Sequence, residues 1–517
     1  MPPPPAQPPD PSSIDPLPTL LSRLGRVGLA PPLFSNGPIR ISRAPARLDV
    51  MGGIADYTGS LVCQLTLDRA LALALQQRPD RELQIFSFNL FDEHLPFTFR
   101  ISLDALANAT IDSLRRDFSE PGRKWAAYIA GCLFILHHHN LLDLKNPHIP
   151  GLNLALYSTI PMAAGLASSA ALEIATMLNL LAHFQITLEP LRIAALCQQV
   201  ETQIAGAPCG IMDQVASLLG HQNQLLRLLC QPAQLQPPLP LPNGIRFVGI
   251  DSGIRHSLAT PSQYSLTRCA ASIGHKIILH QMHQIAAHTQ TTLTSDPMNG
   301  YLANLDPDDY KSLFRPHLPE KIVGRDFLHQ FGPTLDPLSP INPDQLYHPL
   351  GATDHHILES RRVKQFCSFL EQARELDPPQ MSGMMSGMGS GTPMPVSPPQ
   401  SQIANRKSQI QSLLHKSGHL MYASHHSYTH DALLGHPHCD LLVQLIRANE
   451  HHGLYGARIT AAGQGGTLAV LSDTSDSATN ALHQILQTYK EQTGLTPTLL
   501  TSSSPGALHF GTHLVPP

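Results

Sequence analysis

Charge is scarce in this sequence: only 14% of its 517 residues are Asp, Glu, Lys or Arg, and 34 basic against 38 acidic side chains leave a formal charge of -4. No run of basic residues exists to draw in a polyanion, so nucleic-acid binding is set aside. Tryptophan occurs once, at position 125, and the eight cysteines form no C-x-x-C pair. That spacing speaks against a structural zinc site or a disulfide framework. The 29 histidines include no H-E-x-x-H, and clusters such as His137 to His139 read as packed or solvated rings. Also missing are a basic-then-apolar leader and any run near the roughly 18 apolar residues of a spanning helix. A soluble, cytoplasmic chain is the expectation.

What is plentiful is apolar side chains, 42% of the residues, enough for a large core spread over about two to four domains. Proline, 47 residues in all, gathers from Met1 to Pro18 and from Pro378 to Pro399, and both stretches are expected to be disordered. Elsewhere α and β signals alternate. Strands are expected at Ile39–Ala44, Leu152–Tyr157 and Arg246–Ile250, and helices at Lys124–His137, Ser168–Phe184, Glu189–Ile204 and from about Met212. Near the end, Ala457–Thr460 leads into a glycine turn, after which Leu468–Leu471 resumes as a strand. The expected division is a disordered tail at 1–22, an N-terminal domain at 23–240, a C-terminal domain in two parts at 241–376 and 405–517, and a low-complexity insert at 377–404.

Two segments carry chemistry. Gly165, Leu166, Ala167, Ser168, Ser169 and Ala170 put small residues and two hydroxyls where a strand gives way to a helix, and free amides at a helix N-terminus favour anionic oxygens. A serine N-cap is the plainer reading of the same residues. Further on, Glu201 and Asp213 bracket the turn Ala205–Gly210. Paired acids beside a phosphate-binding loop are what a magnesium nucleotide and an attacking hydroxyl ask for. No G-x-x-x-x-G-K-[ST], H-R-D or D-F-G is present, so a nucleotide user of this length needs another loop class.

The residues resemble that other class. Arg43 to Tyr57, the loop from Gly165 to Ala170, and Thr460 to Gly466 are similar, in order, to the three motifs of the kinases named for galactokinase, homoserine kinase, mevalonate kinase and phosphomevalonate kinase, the GHMP kinases. Glu201 to Gln214 and Asp251 to Ser257 also look like galactokinase segments. Asp49 to Tyr57, Gly206 to Gly210 and Ser503 to Ala507 are most similar to the branch that acts on L-arabinose.

The resemblance implies an α+β fold of two domains, the first like the second domain of ribosomal protein S5 and the second ferredoxin-like. It implies an ATP- and Mg²⁺-dependent kinase acting on the anomeric hydroxyl of a sugar, L-arabinose before galactose, with a non-catalytic sugar sensor as the alternative of another class. Ser169 and Glu201 would hold Mg²⁺. The loop from Gly165 to Ala170, with Gly463, Gly465, Gly466 and Trp125, would hold ATP. Asp213 and Arg47 would face the reacting hydroxyl, Asp213 orienting it first and taking its proton second. Asp56, Gly210 and Tyr264 would bind sugar hydroxyls. Gly53 and Ile54 stand where galactokinases carry Glu and His, which implies a site closed against an exocyclic hydroxymethyl.

Overall fold

A computed structural model describes residues 14–24, 34, 37–255, 262–377 and 400–515. The first thirteen residues of the proline-rich start, His256 and Ser257, and positions 378–399 of the low-complexity segment lie outside the described residues. The strands in chain order are β1 (Ile39–Met51), β2 (Leu61–Arg78), β3 (Glu82–Ser87), β4 (Thr98–Ser102), β5 (Gly151–Ser158), β6 (Gln224–Leu229), β7 (Gln234–Pro240), β8 (Ile245–Asp251), β9 (Ile322–Val323), β10 (Leu346–Tyr347), β11 (Leu454–Ile459), β12 (Thr467–Asp473), β13 (Thr498–Leu500) and β14 (Thr512–Val515).

An eight-stranded sheet runs β14-β1-β2-β5-β3-β4, with β6 and β7 branching from β2. The long strand β2 serves both: Leu71–Arg78 pairs with β5 and Leu61–Gln64 with β6. Side chains alternate across a strand, and here size alternates with them. Leu71, Leu73 and Leu75 of β2 and Leu152, Leu154 and Leu156 of β5 enter the main core. There they meet the helices Lys124–His138, Ser168–His183, Pro190–Gln199 and Met212–Leu219. Ala72, Ala74 and Ala155 lie in a second, smaller cluster.

That second cluster corrects the expected tail. The helix Pro16–Leu24 docks on the alanine face with Leu20 fully buried, so residues 16–22 of the expected tail are helical. Leu17, Leu20, Leu21 and Leu24 fall at helical spacing and form one apolar stripe. The last expected domain boundary is corrected as well. β14 pairs with β1, Ile39 opposite Val515, so the chain's end belongs to the first sheet rather than to the C-terminal domain. The segment expected to be low-complexity through 404 is shorter at its far side, because the helix Gln400–His430 already covers its last residues.

The second sheet, β11-β12-β8-β13, is antiparallel throughout. Its Val248, Ile250, Leu468 and Val470 pack with residues of the helices Pro437–Ala448 and Asp476–Thr493. Phe247, Ala469 and Leu471 face the main core, where the helix Pro349–Leu376 contributes Val363, Phe366 and Leu370. The architecture is the expected α+β one, two sheets sharing a helical seam. Among the described residues, no helix is long and apolar enough to cross a membrane.

Candidate active site

β1 supplies the first side chains. Its ladder with β2 slips between Pro45 and Arg47 and again between Asp49 and Met51, and such bulges re-aim a strand's side chains. Arg47 emerges almost fully buried. Its Nε and Nη2 donate to the two carboxylate oxygens of Asp213 at 2.8 and 2.9 Å, and its Nη1 donates to the Gly165 carbonyl at 2.7 Å. Burial alone would lower the guanidinium's pKa, but Asp213 and Asp49 outweigh it and hold it above its ordinary value. One arginine thus joins the acid of the helix Met212–Leu219 to the small-residue loop.

That loop ends at Ala167, which caps the helix Ser168–His183 with no side-chain hydrogen bond. The plainer serine N-cap reading does not hold: Ser168 is already the first helical residue, and among the described residues no side chain caps the helix's first amides. Ala163, Ala167, Ala461 and Gln464 all carry left-handed φ angles between 52 and 58°. All four line one cleft of about 690 Å³. A non-glycine residue there costs ~1–2 kcal/mol, and such strain gathers where a site needs a particular backbone.

Glu201 sits in a single π-helical turn, Val200–Ile204, that prolongs the helix Pro190–Gln199. A bulge of this kind shifts one side chain out of helical register. Its Oε1 accepts from Ser169 Oγ at 2.8 Å and its Oε2 from Gln214 Nε2 at 2.7 Å. Burial, then the nearby Asp213 charge, push Glu201 up to about 7. Gln214 Nε2 also donates to fully buried Glu173 at 3.0 Å, an acid that burial raises well above the carboxylate range. Glu173 and Glu201 thus share Gln214, and Arg47 is bonded to Asp213. A hydroxyl and a carboxylate 2.8 Å apart, hard oxygens short of positive charge, suit a divalent cation.

Asp56 faces the same cleft. Burial and the Asp213 charge push it up to about 8, against the hydrogen bond its Oδ1 accepts from the Tyr57 amide at 2.6 Å. Gly210 packs against it, and Tyr264 meets Tyr57 edge to face with centroids 6.0 Å apart. The cleft is lined by Arg47, Ile54, Asp56, Gly165, Leu166, Ala167, Ser168, Ser169, Glu201, Gly210, Asp213 and Tyr264 together.

Other expected residues stand differently. At Gly53 the side-chain direction meets the Tyr428 hydroxyl at 1.8 Å and Arg458 Nη2 at 2.9 Å, so the space left by the missing glutamate is filled from behind rather than open to a sugar. Of the glycine turn, Ala461, Ala462 and Gln464 line the cleft, and Gly463, Gly465 and Gly466 carry positive φ as Ala461 and Gln464 do. Ala170 is buried beneath the loop. Trp125 packs on the main core, and its neighbour Lys124 lines the cleft instead. Arg115, Lys124, Ser262 and Ser265 also line it. Sequence reading passed over them because lone basic and hydroxyl residues carry no motif.

The pattern of the GHMP kinases N terminal domain matches residues 127–221, and that of the GHMP kinases C terminal matches 410–491. An L-arabinokinase of Arabidopsis thaliana is 32% identical over 92% of this chain and 46% of its own length. A galactokinase of Chloroflexus aggregans is 33% identical over 52% of this chain and 63% of its own length. The chain thus spans less than two thirds of either relative. The crystal structure of Lactococcus lactis galactokinase complexed with galactose superimposes with a TM-score of 0.61 at 19% identity, covering 93% of this chain and 95% of that one.

Proposed function

We propose that the chain is a sugar 1-kinase of the GHMP kinase type, transferring the γ-phosphoryl of ATP to the anomeric hydroxyl of L-arabinose and releasing L-arabinose 1-phosphate and ADP. The observation that carries this reading is the Arg47 fork. It ties Asp213 to the Gly165 carbonyl, so the acid that meets the hydroxyl and the loop that meets the phosphates are set by one side chain.

In this reading the hydroxyl oxygen bonds to phosphorus as the bond to the ADP oxygen breaks, and the hydroxyl proton passes to Asp213 after being oriented by it. The free amides at the start of the helix Ser168–His183 and the Arg47 guanidinium face the negative charge of the transferring group. Ser169 and Glu201 would hold Mg²⁺, which would supply positive charge to the phosphate oxygens. Asp56, Gly210 and Tyr264 bind ring hydroxyls, and the cations Lys124 and Arg115, which also line the cleft, are available to phosphate oxygens.

Preference for L-arabinose over galactose rests on two supports: the 32% identity to an L-arabinokinase and the apolar Ile54 in the cleft wall, whose side chain offers an exocyclic hydroxymethyl no polar partner. The test is ADP release from MgATP over a panel of sugars. Sugar-dependent release led by L-arabinose is expected. No release with any sugar contradicts the kinase reading and leaves a sugar-binding sensor.

A further inference from the structure

Tyr428, on the helix Gln400–His430, is fully buried and stands behind the cleft wall. Its hydroxyl accepts a hydrogen bond from the Ile54 amide at 2.9 Å and donates one to the Ala461 carbonyl at 2.8 Å. Ile54 and Ala461 both line the cleft, the first from the loop after β1 and the second from the glycine turn after β11. The same two backbone segments are joined a second time by Asp49. Its Oδ1 accepts from the Gly53 amide at 3.1 Å and from Gln64 Nε2 at 2.8 Å, and its Oδ2 accepts from the Ala461 amide and Arg458 Nη1, both at 3.0 Å.

Ala461 is therefore gripped at both ends of its peptide functions, N–H by Asp49 and C=O by Tyr428. It needs to be, since its φ of 52° is one an alanine keeps only when its surroundings impose it. The grip is stiff. Arg458 lies over the Tyr428 ring, 4.9 Å from its centroid, and His355 meets the ring edge to face at 4.8 Å. Gly53 completes the arrangement: any side chain there would occupy the position of the Tyr428 hydroxyl. The missing side chain at 53 and the tyrosine at 428 form one unit.

We propose that Tyr428 is a positioning residue whose hydroxyl, together with Asp49, locks the sugar-side loop at Gly53 and Ile54 to the nucleotide-side turn at Ala461, so that the two walls of the cleft keep a single spacing. The inference rests on the sugar 1-kinase reading, which assigns the two walls to the two substrates. Tyr428→Phe keeps the ring on Arg458 and His355 and removes only the two hydrogen bonds. Freed from each other, both walls lose their set position, so the KM for sugar and the KM for MgATP rise together, each about three- to ten-fold, the size expected for one or two lost hydrogen bonds. Asp49→Asn, which retains one acceptor oxygen, produces the same paired rise through the other arm. A purely structural role lowers the active fraction instead, reducing kcat at unchanged KM values, and that result in both variants overturns the proposal. So does a rise confined to one substrate. A wild-type protein that turns over no sugar is a different failure, of the kinase reading itself.

Discussion

Gly210 and Asp56 touch so closely that a Cβ on the glycine would stand 1.9 Å from Asp56 Oδ2. Glycine is required here for close approach, and the contact fixes the carboxyl that faces the sugar side of the cleft. Gly210→Ala must displace either the turn after Cys209 or the carboxyl. Displacements of about 1 Å in a positioning group cost on the order of 10²-fold. The expected result in steady-state kinetics is a fall in kcat/KM for the sugar of that order, carried mostly by KM. A KM within twofold of wild type would remove Asp56 from the sugar site.

Asp213→Asn preserves the shape of the side chain and one acceptor for Arg47. Turnover should drop by about 10²–10⁴, the range for loss of a group acting on the transferred proton, while nucleotide binding by calorimetry and the melting temperature stay near wild type. Turnover within tenfold of wild type would leave Asp213 a partner of Arg47 and nothing more.

Asp56 makes the empty protein sensitive to pH. Its folded value of about 8 lies above the ordinary carboxylate value, so between about pH 4 and pH 8 the folded state binds more protons than the unfolded one. Its contribution to stability is full below pH 4 and is lost as pH rises through 8. The melting temperature without ligands should therefore decline from pH 5 to 8, and Asp56→Asn should flatten part of that slope. Parallel slopes for the two proteins would place the carboxyl in an ordinary, ionised state.

Glu201→Gln tests the cation site. The amide keeps an acceptor for Ser169 but loses the charge that suits a hard cation, so the Mg²⁺ concentration for half-maximal activity should rise about tenfold or more at fixed ATP. An unchanged requirement would mean that Glu201 serves only its bonds to Ser169 and Gln214.

Local pattern made much of this molecule legible. The helix at Ser168–His183, the strands β5 and β8 and the turn between β11 and β12 follow from periodicity and small-residue loops, and lie within a residue or two of expectation. The Glu201 and Asp213 pair was legible as two acids about a glycine-lined turn and Arg47 from motif resemblance; the structure bonds Arg47 to Asp213 and Glu201 to Ser169 and Gln214. Non-local relations were not legible. β14 returns to β1 across more than four hundred residues, and nothing in four residues of sequence announces a partner that distant. Asp49 and Tyr428 likewise meet the Ala461 turn only in the folded chain. Position 53 is of the same kind, because the atom that a side chain there would meet comes from residue 428.

The proposed activity is phosphorylation of L-arabinose in preference to its hydroxymethyl-bearing counterpart. The most direct measurement is kcat/KM for L-arabinose and for D-galactose at saturating MgATP, with each product identified as the 1-phosphate by phosphorus NMR. A pocket that reads one missing carbon group discriminates by about 10- to 200-fold, so L-arabinose should lead by that margin and give the anomeric phosphate. Equal or better use of galactose, or phosphate found on another hydroxyl, would contradict the account.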